Sequence, residues 1–250
     1  ECDWRFRRVL FRSLIGELDN VMKSENRFVN NAAHQLRTPL AGILSQIELA
    51  QNSHDIDAIK ERLQHVTTSS KRLIHIINQL LSLSATQPEA KHIVQMKPLD
   101  LIKFAKKVTT ELLPQADAKK IDLGFEGHDA PLWIKGDEKR LYDLIQNLID
   151  NAIKYSTAGQ KITVSVKPQD QKVCLCVEDE AIGIPKKDQA MIFERFYRGD
   201  NVNQSGGGVG LAIVKEIANL HDATVELDSR NEKKGTRFYV YFDAIDPPSS

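Results

Sequence analysis

The 250-residue sequence holds only three cysteines, Cys2, Cys174 and Cys176. That is too few, and too badly spaced, for a disulfide framework or a zinc site. Cys174 and Cys176 alternate with Leu175 as one face of a strand would, which predicts reduced thiols in a cytosolic setting. Net charge is also missing: 34 basic side chains meet 34 acidic ones. No global field draws the chain to a polyanion, so nucleic acid is not expected as a partner. No apolar run approaches the roughly 18 residues needed to span a bilayer, and "ECDWRFRRVLFRS" lacks a signal-peptide layout. The fragment reads as soluble, although Arg5, Arg7, Arg8 and Arg12 among apolar residues are what is expected just cytoplasmic of a membrane span. There is neither an internal repeat nor a low-complexity tract. What remains, 41% hydrophobic and 27% charged residues, is a globular chain of one large or two modest domains.

From Phe11 to about Ala50 apolar residues recur at steps of three and four, through Leu14, Leu18, Val21, Val29, Leu36, Ile43 and Ile47, with breaks at Glu25 and around Pro39. This predicts a long amphipathic helix, bent just beyond the proline. After "QNSHD", where Ser53 or Asp55 can serve as N-cap, a second series runs Ile56, Ile59, Leu63, Val66, Leu73, Ile77, Leu80. Two such helices joined by a short turn make an antiparallel hairpin, whose seam is best buried by dimerisation into a four-helix bundle. The polar, proline-bearing stretch that follows reads as a linker leading into a strand. Beyond it the pattern changes. Helices are expected over "LIKFAKKVTTELL", over "DEKRLYDLIQNLIDNAIKYS" with Asp137 as N-cap, over "KKDQAMIFERF" and over "GLAIVKEIANLH". "IDLGFEG" and "LWIKGD" read as short strands, while "KITVSVKPQDQKVCLCVED" and "ATVELDSRNEKKGTRFYVYF" read as hairpins. Strands and helices mixed in this way argue an α+β sandwich with helices on one face of a mixed sheet.

Four constellations carry chemistry. In "NNAAHQLRTPLAG", His34 falls about 160° from the centre of the apolar stripe, so its imidazole faces water, with Thr38 one turn later on the same face. In "NLIDNAIKYS", Asn147, Asn151 and Lys154 share one helix face, with Tyr155 beside the lysine. Carboxamide oxygens suit a hard cation such as Mg²⁺, and a lysine suits phosphate. In "VEDEAIGIP" a strand ends on Asp179, able to accept a hydrogen bond from an adenine amine, and Gly183 allows a tight turn beneath a ring. In "GGGVGLAIV", Gly206, Gly207, Gly208 and Gly210 stand immediately before a helix, whose free amides form an anion cradle. The pattern fits neither a P-loop nor a dinucleotide-binding fingerprint. Taken singly, each has a plain structural explanation: a solvated histidine, a polar helix face, a strand-ending turn, a flexible loop.

Together, in this order, they resemble the cytoplasmic catalytic part of a two-component sensor histidine kinase. "FVNNAAHQLRTPLAG" is similar to the family's H box, "NLIDNAIKYS" to its N box, "DEAIGIP" to G1, "IFERFYRG" to the F box, "GGGVGLAIV" to G2 and "GTRFYV" to the closing glycine-threonine strand. The resemblance implies a Bergerat-type ATP-binding domain over 99–243 and a dimerisation and phosphotransfer hairpin over 23–85. It further implies a juxtamembrane signalling segment over 1–22, a linker over 86–98 and a tail over 244–250. His34 is the implied phosphoacceptor and Asn151 the implied Mg²⁺ ligand; Asn147, Lys154 and Arg198 lie near the phosphates, Tyr155 near the nucleotide. Asp179 and Gly183 are implied to read adenine, Gly206, Gly208, Gly210 and Leu211 to form the G2 turn, and 195–208 to act as a mobile lid anchored by Phe193 and Phe196.

The implied activity is autophosphorylation of His34 by MgATP, then transfer to an aspartate of a response regulator, with regulator dephosphorylation aided by Thr38. The implied setting is a homodimer in a membrane-anchored receptor, facing the cytoplasm. Two positions depart from the family pattern. Gln35 stands where Glu or Asp usually follows the histidine, and it can orient the imidazole but not take its proton. Ala181 replaces the first glycine of G1 and would be strained if that turn required φ > 0. These departures are the support for an alternative, a degenerate ATP-binding dimer acting as phosphatase or docking module. A related-fold ATPase is a further alternative, argued against by Asn147 where those enzymes carry a glutamate base.

Overall fold

Asp137 ends an extended stretch, and its side chain accepts the backbone N–H of Arg140 at 3.0 Å, capping helix α4 (Glu138–Tyr155) as the sequence requires. Leu141, Leu144, Ile145, Leu148, Ile149 and Ala152 form its buried stripe, at the spacing expected of a helix covering a sheet. A computed structural model describes residues 30, 33, 36–85, 95–195, 197, 199, 208–229 and 235–248. Within it the chain divides into two compact units, one ending at Leu80 and one starting at Leu81.

In the first unit, helix α1 spans 36–51, running through Pro39, and α2 spans Ile56–Ala85, its last five residues passing the boundary at Leu80. Asp55 is the N-cap of α2: its Oδ1 accepts Asp57 N–H at 3.0 Å, while Ser53 Oγ accepts Asp55 N–H at 3.2 Å. Arg62 on α2 donates to Gln46 Oε1 on α1 at 3.4 Å, across the hairpin. Leu40, Leu44, Ile47, Leu63, Ile74 and Ile77 remain exposed. The helical expectation over 11–29, His34 and Gln35 lie outside the described residues.

The second unit is built on a five-stranded mixed sheet, ordered β2 (Asp122–Gly127), β4 (Lys161–Gln169), β5 (Lys172–Asp179), β7 (Thr236–Asp243), β6 (Thr224–Ser229). β2 pairs with β4 in parallel and every other pairing is antiparallel. Both hairpins read from the alternation, β4–β5 and β6–β7, are present. Ile162, Val164, Leu175, Val177, Val240 and Phe242 point to one face and are buried. That face is covered by α3 (Leu101–Ala118), α4 and α5 (Gly210–Leu220), so the helical layer lies on one side, as the alternation requires. A separate two-stranded ribbon pairs β1 (Lys97–Asp100) with β3 (Trp133–Gly136). β1 therefore begins within the stretch expected as linker. Ala244 bridges Ile134, and Ile245 N–H donates to Trp133 O, so the first residues of the expected tail join the same ribbon.

Two helical expectations change. The helix expected to stop at Leu113 continues through Pro114 to Ala118, because the buried series Ala105, Val108, Leu112, Ala116 carries on past the proline. Burial of that stripe outweighs one missing hydrogen bond. The helix expected over 186–196 is instead, over its described residues 186–195, a run of turns and a bend, with Asp188 N–H donating to Pro185 O, Met191 N–H to Asp188 O and Glu194 N–H to Met191 O. Its polar side chains bond outside the segment: Tyr197 Oη donates to the buried Asp188 at 2.8 Å, and Gln189 donates to Ile184 O and Ser229 O.

Candidate functional site

Asn147 faces inward on α4, 7% exposed. Its Nδ2 donates to Asp143 O at 2.7 Å, which fixes the amide so that Oδ1 points away from its own helix. That oxygen lies against the first residue of α5: a Cβ built on Gly210 would stand 2.9 Å from Asn147 Oδ1. The absence of a side chain at Gly210 thus lets the amide-rich start of α5 approach the polar face of α4. Val209, buried, is the N-cap and provides no side-chain bond, so the free N–H groups of the first turn of α5 are not occupied by a capping side chain. Gly208 takes φ 66°, the left-handed region that glycine tolerates, in turning the chain into the helix. Leu211 is half-buried in that first turn.

One turn beyond Asn147, Asn151 is half-buried on the same face. Lys154 Nζ then sits 4.8 Å from the centroid of the Tyr155 ring and 3.2 Å from its hydroxyl, a cation held over an aromatic face. Lys119, at the end of α3, donates to Ile153 O at 2.9 Å and Lys154 O at 3.3 Å, satisfying carbonyls that the end of α4 would otherwise leave open. The loop after α4 is tied toward β5: Gln160 Nε2 donates to Glu180 O at 2.7 Å, and Lys161 N–H to Glu180 Oε2 at 2.9 Å.

Asp179 ends β5 on the buried side of the sheet, 7% exposed. Burial pushes its carboxyl up to about 6, against two backbone amides, Ala181 and Thr236, that hydrogen-bond to it and favour the charged form. A carboxylate kept in an apolar wall with only amide donors can accept one more N–H, as an adenine amine supplies. Gly183 takes φ 79° in the turn that follows. The positive φ therefore falls on Gly183, and Ala181 is not among the described residues that share it, which are Lys120, Asp170 and Asp222 apart from glycines. Ala181 is buried and does not take positive φ, so the strain that the sequence would imply for a left-handed turn there is absent.

Asn147 and the start of α5, in the helical layer, and the end of β5, in the sheet beneath it, are thus brought to one domain. Thr38 is exposed on α1 in the other unit. His34, Gln35, Phe196, Arg198 and Gly206 lie outside the described residues. Among the described residues no three His, Cys, Asp or Glu side chains gather around a common point fit for a metal ion.

Several contributors were not singled out by the sequence. Gly235 (φ 126°), read only as the start of the closing glycine-threonine strand, lies so close to β5 that a Cβ there would meet Asp179 O at 2.6 Å, a contact the motif did not announce. His221, buried, accepts Asp137 N–H on Nε2 at 3.0 Å and donates from Nδ1 to Ile217 O at 2.8 Å, joining the end of α5 to the cap of α4. Acceptance on Nε2 requires the neutral ring, and desolvation holds its pKa below the ordinary 6.5. Arg195 pairs with Glu216 of α5 through Nε at 2.9 Å, anchoring the start of the expected lid.

Two family models match the chain: "His Kinase A (phospho-acceptor) domain" over 24–89, and "Histidine kinase-, DNA gyrase B-, and HSP90-like ATPase" over 136–245. The sensor protein kinase PmrB of Pseudomonas aeruginosa is 32% identical over 242 residues, covering 94% of this chain and 50% of its own length. The sensor histidine kinase RppB of Synechocystis is 34% identical over 231 residues, covering 90% and 50%. The chain thus spans about half the length of these curated relatives. In fold it is similar to the histidine kinase ThkA, solved in complex with the response regulator protein TrrA, with a TM-score of 0.69 over 92% of this chain and 66% of that one at 21% identity. A helical phosphoacceptor hairpin followed by this ATP-binding sheet domain, matched along nearly the whole chain by sensor kinases, places the protein in the family of two-component sensor histidine kinases.

Proposed function

We propose that the chain autophosphorylates on His34 at the expense of ATP and passes the phosphoryl group to an aspartate of a separate response regulator. The observation that carries the reading is the meeting of Asn147 with the side-chain-free start of α5 at Gly210, in the same domain as the buried carboxylate of Asp179. The first supplies amide donors and polar oxygens for a triphosphate, the second an acceptor for adenine. Residues 23–85 are the dimerisation and phosphoacceptor hairpin, 86–98 the linker, 99–243 the ATP-binding domain and 244–250 the tail. A second copy covers the exposed Leu40, Leu44, Ile47, Leu63, Ile74 and Ile77, completing a four-helix bundle.

Asn151, with Asn147 a turn before it, presents amide oxygens beside that cradle, a donor set that fits Mg²⁺ completed by phosphate oxygens. When bound, Mg²⁺ neutralises charge on the triphosphate. Lys154 and Arg198 meet phosphate charge, Tyr155 lies along the nucleotide, and Gly206, Gly208 and Leu211 shape the turn over it. In the transfer, the Nε2 lone pair of His34 attacks the γ-phosphorus, the bond to the β,γ-bridging oxygen breaks, and ADP leaves. Gln35 orients the ring, and since an amide takes no proton at neutral pH, the imidazole proton passes to another acceptor. Thr38 serves the reverse duty, placing the water that removes the phosphoryl group from the regulator. The parent protein is anchored in the plasma membrane by segments preceding this part, with the present chain on the cytoplasmic side. With Ala181 unstrained, the degenerate-dimer alternative rests on Gln35 alone.

Incubation with γ-labelled ATP tests the reading. The expected result is acid-labile, alkali-stable label, absent from His34→Gln and transferable to a receiver domain. Label that survives in His34→Gln, or its absence from the unmodified chain, refutes it.

A further inference from the structure

Ser229 ends β6 with its side chain turned not to solvent but into the loop that follows β5. Its Oγ accepts the backbone N–H of Ile184 at 2.7 Å and lies 3.5 Å from Gly235 O as donor. Gln189 completes the contact from the other side, its Nε2 donating to Ile184 O and to Ser229 O, both at 2.9 Å. Both polar backbone groups of Ile184 are therefore held by side chains 45 and 5 residues away. Ile184 directly follows Gly183, whose φ of 79° sets the turn, and Gly235 is the residue pressed against Asp179 O. One hydroxyl thus spans from the glycine turn to the backbone that backs the carboxylate.

We propose that Ser229 and Gln189 are positioning residues for adenine recognition: a two-sided clasp that fixes the Gly183 turn at a set distance from Asp179. The inference deepens the nucleotide reading above and rests on it. Of the two elements that face the base, the strand end at Asp179 is held in register with Ile162 and Thr236, whereas the turn that follows belongs to no ladder. Without the clasp the turn retains Ala181 N–H to Asp179 Oδ1 at 2.9 Å, which fixes its start but not its far side at Ile184. A turn free to drift loosens the grip on the ring while leaving Asn147, Lys154 and the start of α5, which address the triphosphate, where they are. The clasp therefore governs affinity for adenine and choice of base more than the transfer step.

The test uses the whole chain and measures ATP and GTP affinity, the KM and kcat of autophosphorylation, and melting temperature. Ser229→Ala is expected to weaken ATP binding about tenfold, the loss associated with one unpaired amide, and to narrow the preference for ATP over GTP. Its kcat at saturating ATP is expected to stay within about twofold of the unmodified chain, so the effect resides in KM. Ser229→Thr, which keeps the hydroxyl, restores ATP affinity. A lowered melting temperature with unchanged ATP affinity and unchanged base preference means a structural role only and overturns the proposal. Should Ser229→Ala not fold, Gln189→Ala carries the same expectation through the other, half-buried side of the clasp, and an unchanged KM there overturns it equally. An unmodified chain that binds no ATP refutes the nucleotide reading and the clasp with it, and its own binding isotherm tells that outcome apart.

Discussion

Replacing Asp179 by Asn should separate stability from binding, in opposite directions along the pH axis. The folded carboxyl titrates at about 6 against an ordinary 3.8, because burial disfavours its charge. The folded state therefore holds the proton more tightly than the unfolded chain does. Between about pH 6 and 3.8 the fold gains stability as pH falls, and at neutral pH the ionised group costs about 3 kcal/mol, taking about 1.4 kcal/mol per pH unit across that gap. Asparagine has no such titration. The stability of the unmodified chain relative to Asp179→Asn should thus rise by about 2.4 kcal/mol from pH 7.5 to pH 4. Other titrating groups, His221 among them, cancel in the comparison. Urea unfolding at stepped pH, followed by intrinsic fluorescence in which Trp133 reports the sheet domain, measures it. ATP affinity should move the other way, falling below pH 6 as the acceptor for the adenine amine is protonated, and Asp179→Asn should bind weakly at every pH. Parallel stability curves for the two proteins would show that the carboxylate is not held at this cost and would refute the reasoning.

Gly210→Ala would place a methyl group 2.9 Å from Asn147 Oδ1, so it is expected to push α5 from α4 and weaken ATP binding about tenfold or more, read by calorimetric titration. Gly235→Ala combines a backbone at φ 126° with a contact at 2.6 Å to Asp179 O, and should cost about 1–3 kcal/mol in urea unfolding. Asp137→Ala removes the cap of α4 and the acceptor for Gln95 N–H, and should cost about 1–2 kcal/mol by the same measurement. His221 has its folded pKa depressed, so its contribution is present above the unfolded value of 6.5 and lost as pH falls below it. His221→Gln should flatten that acid-side decline in melting temperature.

The periodicities that the sequence displays are those of burial, and where burial governs, the structure follows them. α4, its Asp137 cap and both hairpins emerge as read, since their apolar residues repeat at the helical or strand period over many positions. Pro114 misled because it signals a local cost, while the stripe that outweighs it is a property of the whole helix. Residues 186–196 offered a helical count without a capped start, and Gln189 within them found partners in Ile184 and Ser229. In the site, the motifs located α4, the α5 glycines and Asp179, but the parts that hold them were hidden. Ser229 with Ile184, His221 with Asp137 and Lys119 with Ile153 are bonds between residues 45, 84 and 34 positions apart. No local pattern announces such pairs. Ala181 is the reverse case: the sequence raised a concern about φ that only the backbone, with its turn at Gly183, could answer.

Asp137 does more than begin a helix. Gln95, on the chain as it enters the sheet domain, donates its N–H to Asp137 Oδ2 at 3.0 Å, while Oδ1 caps α4 and the residue's own N–H is held by His221. Mechanically this is a hitch. A pull on the incoming chain is borne first by a carboxylate whose other oxygen restrains the helix that carries Asn147 and Asn151, and whose backbone is belayed to the end of α5. Tension applied there loads the frame of the nucleotide site at one of its corners, through two helices at once, before it reaches any strand of the sheet.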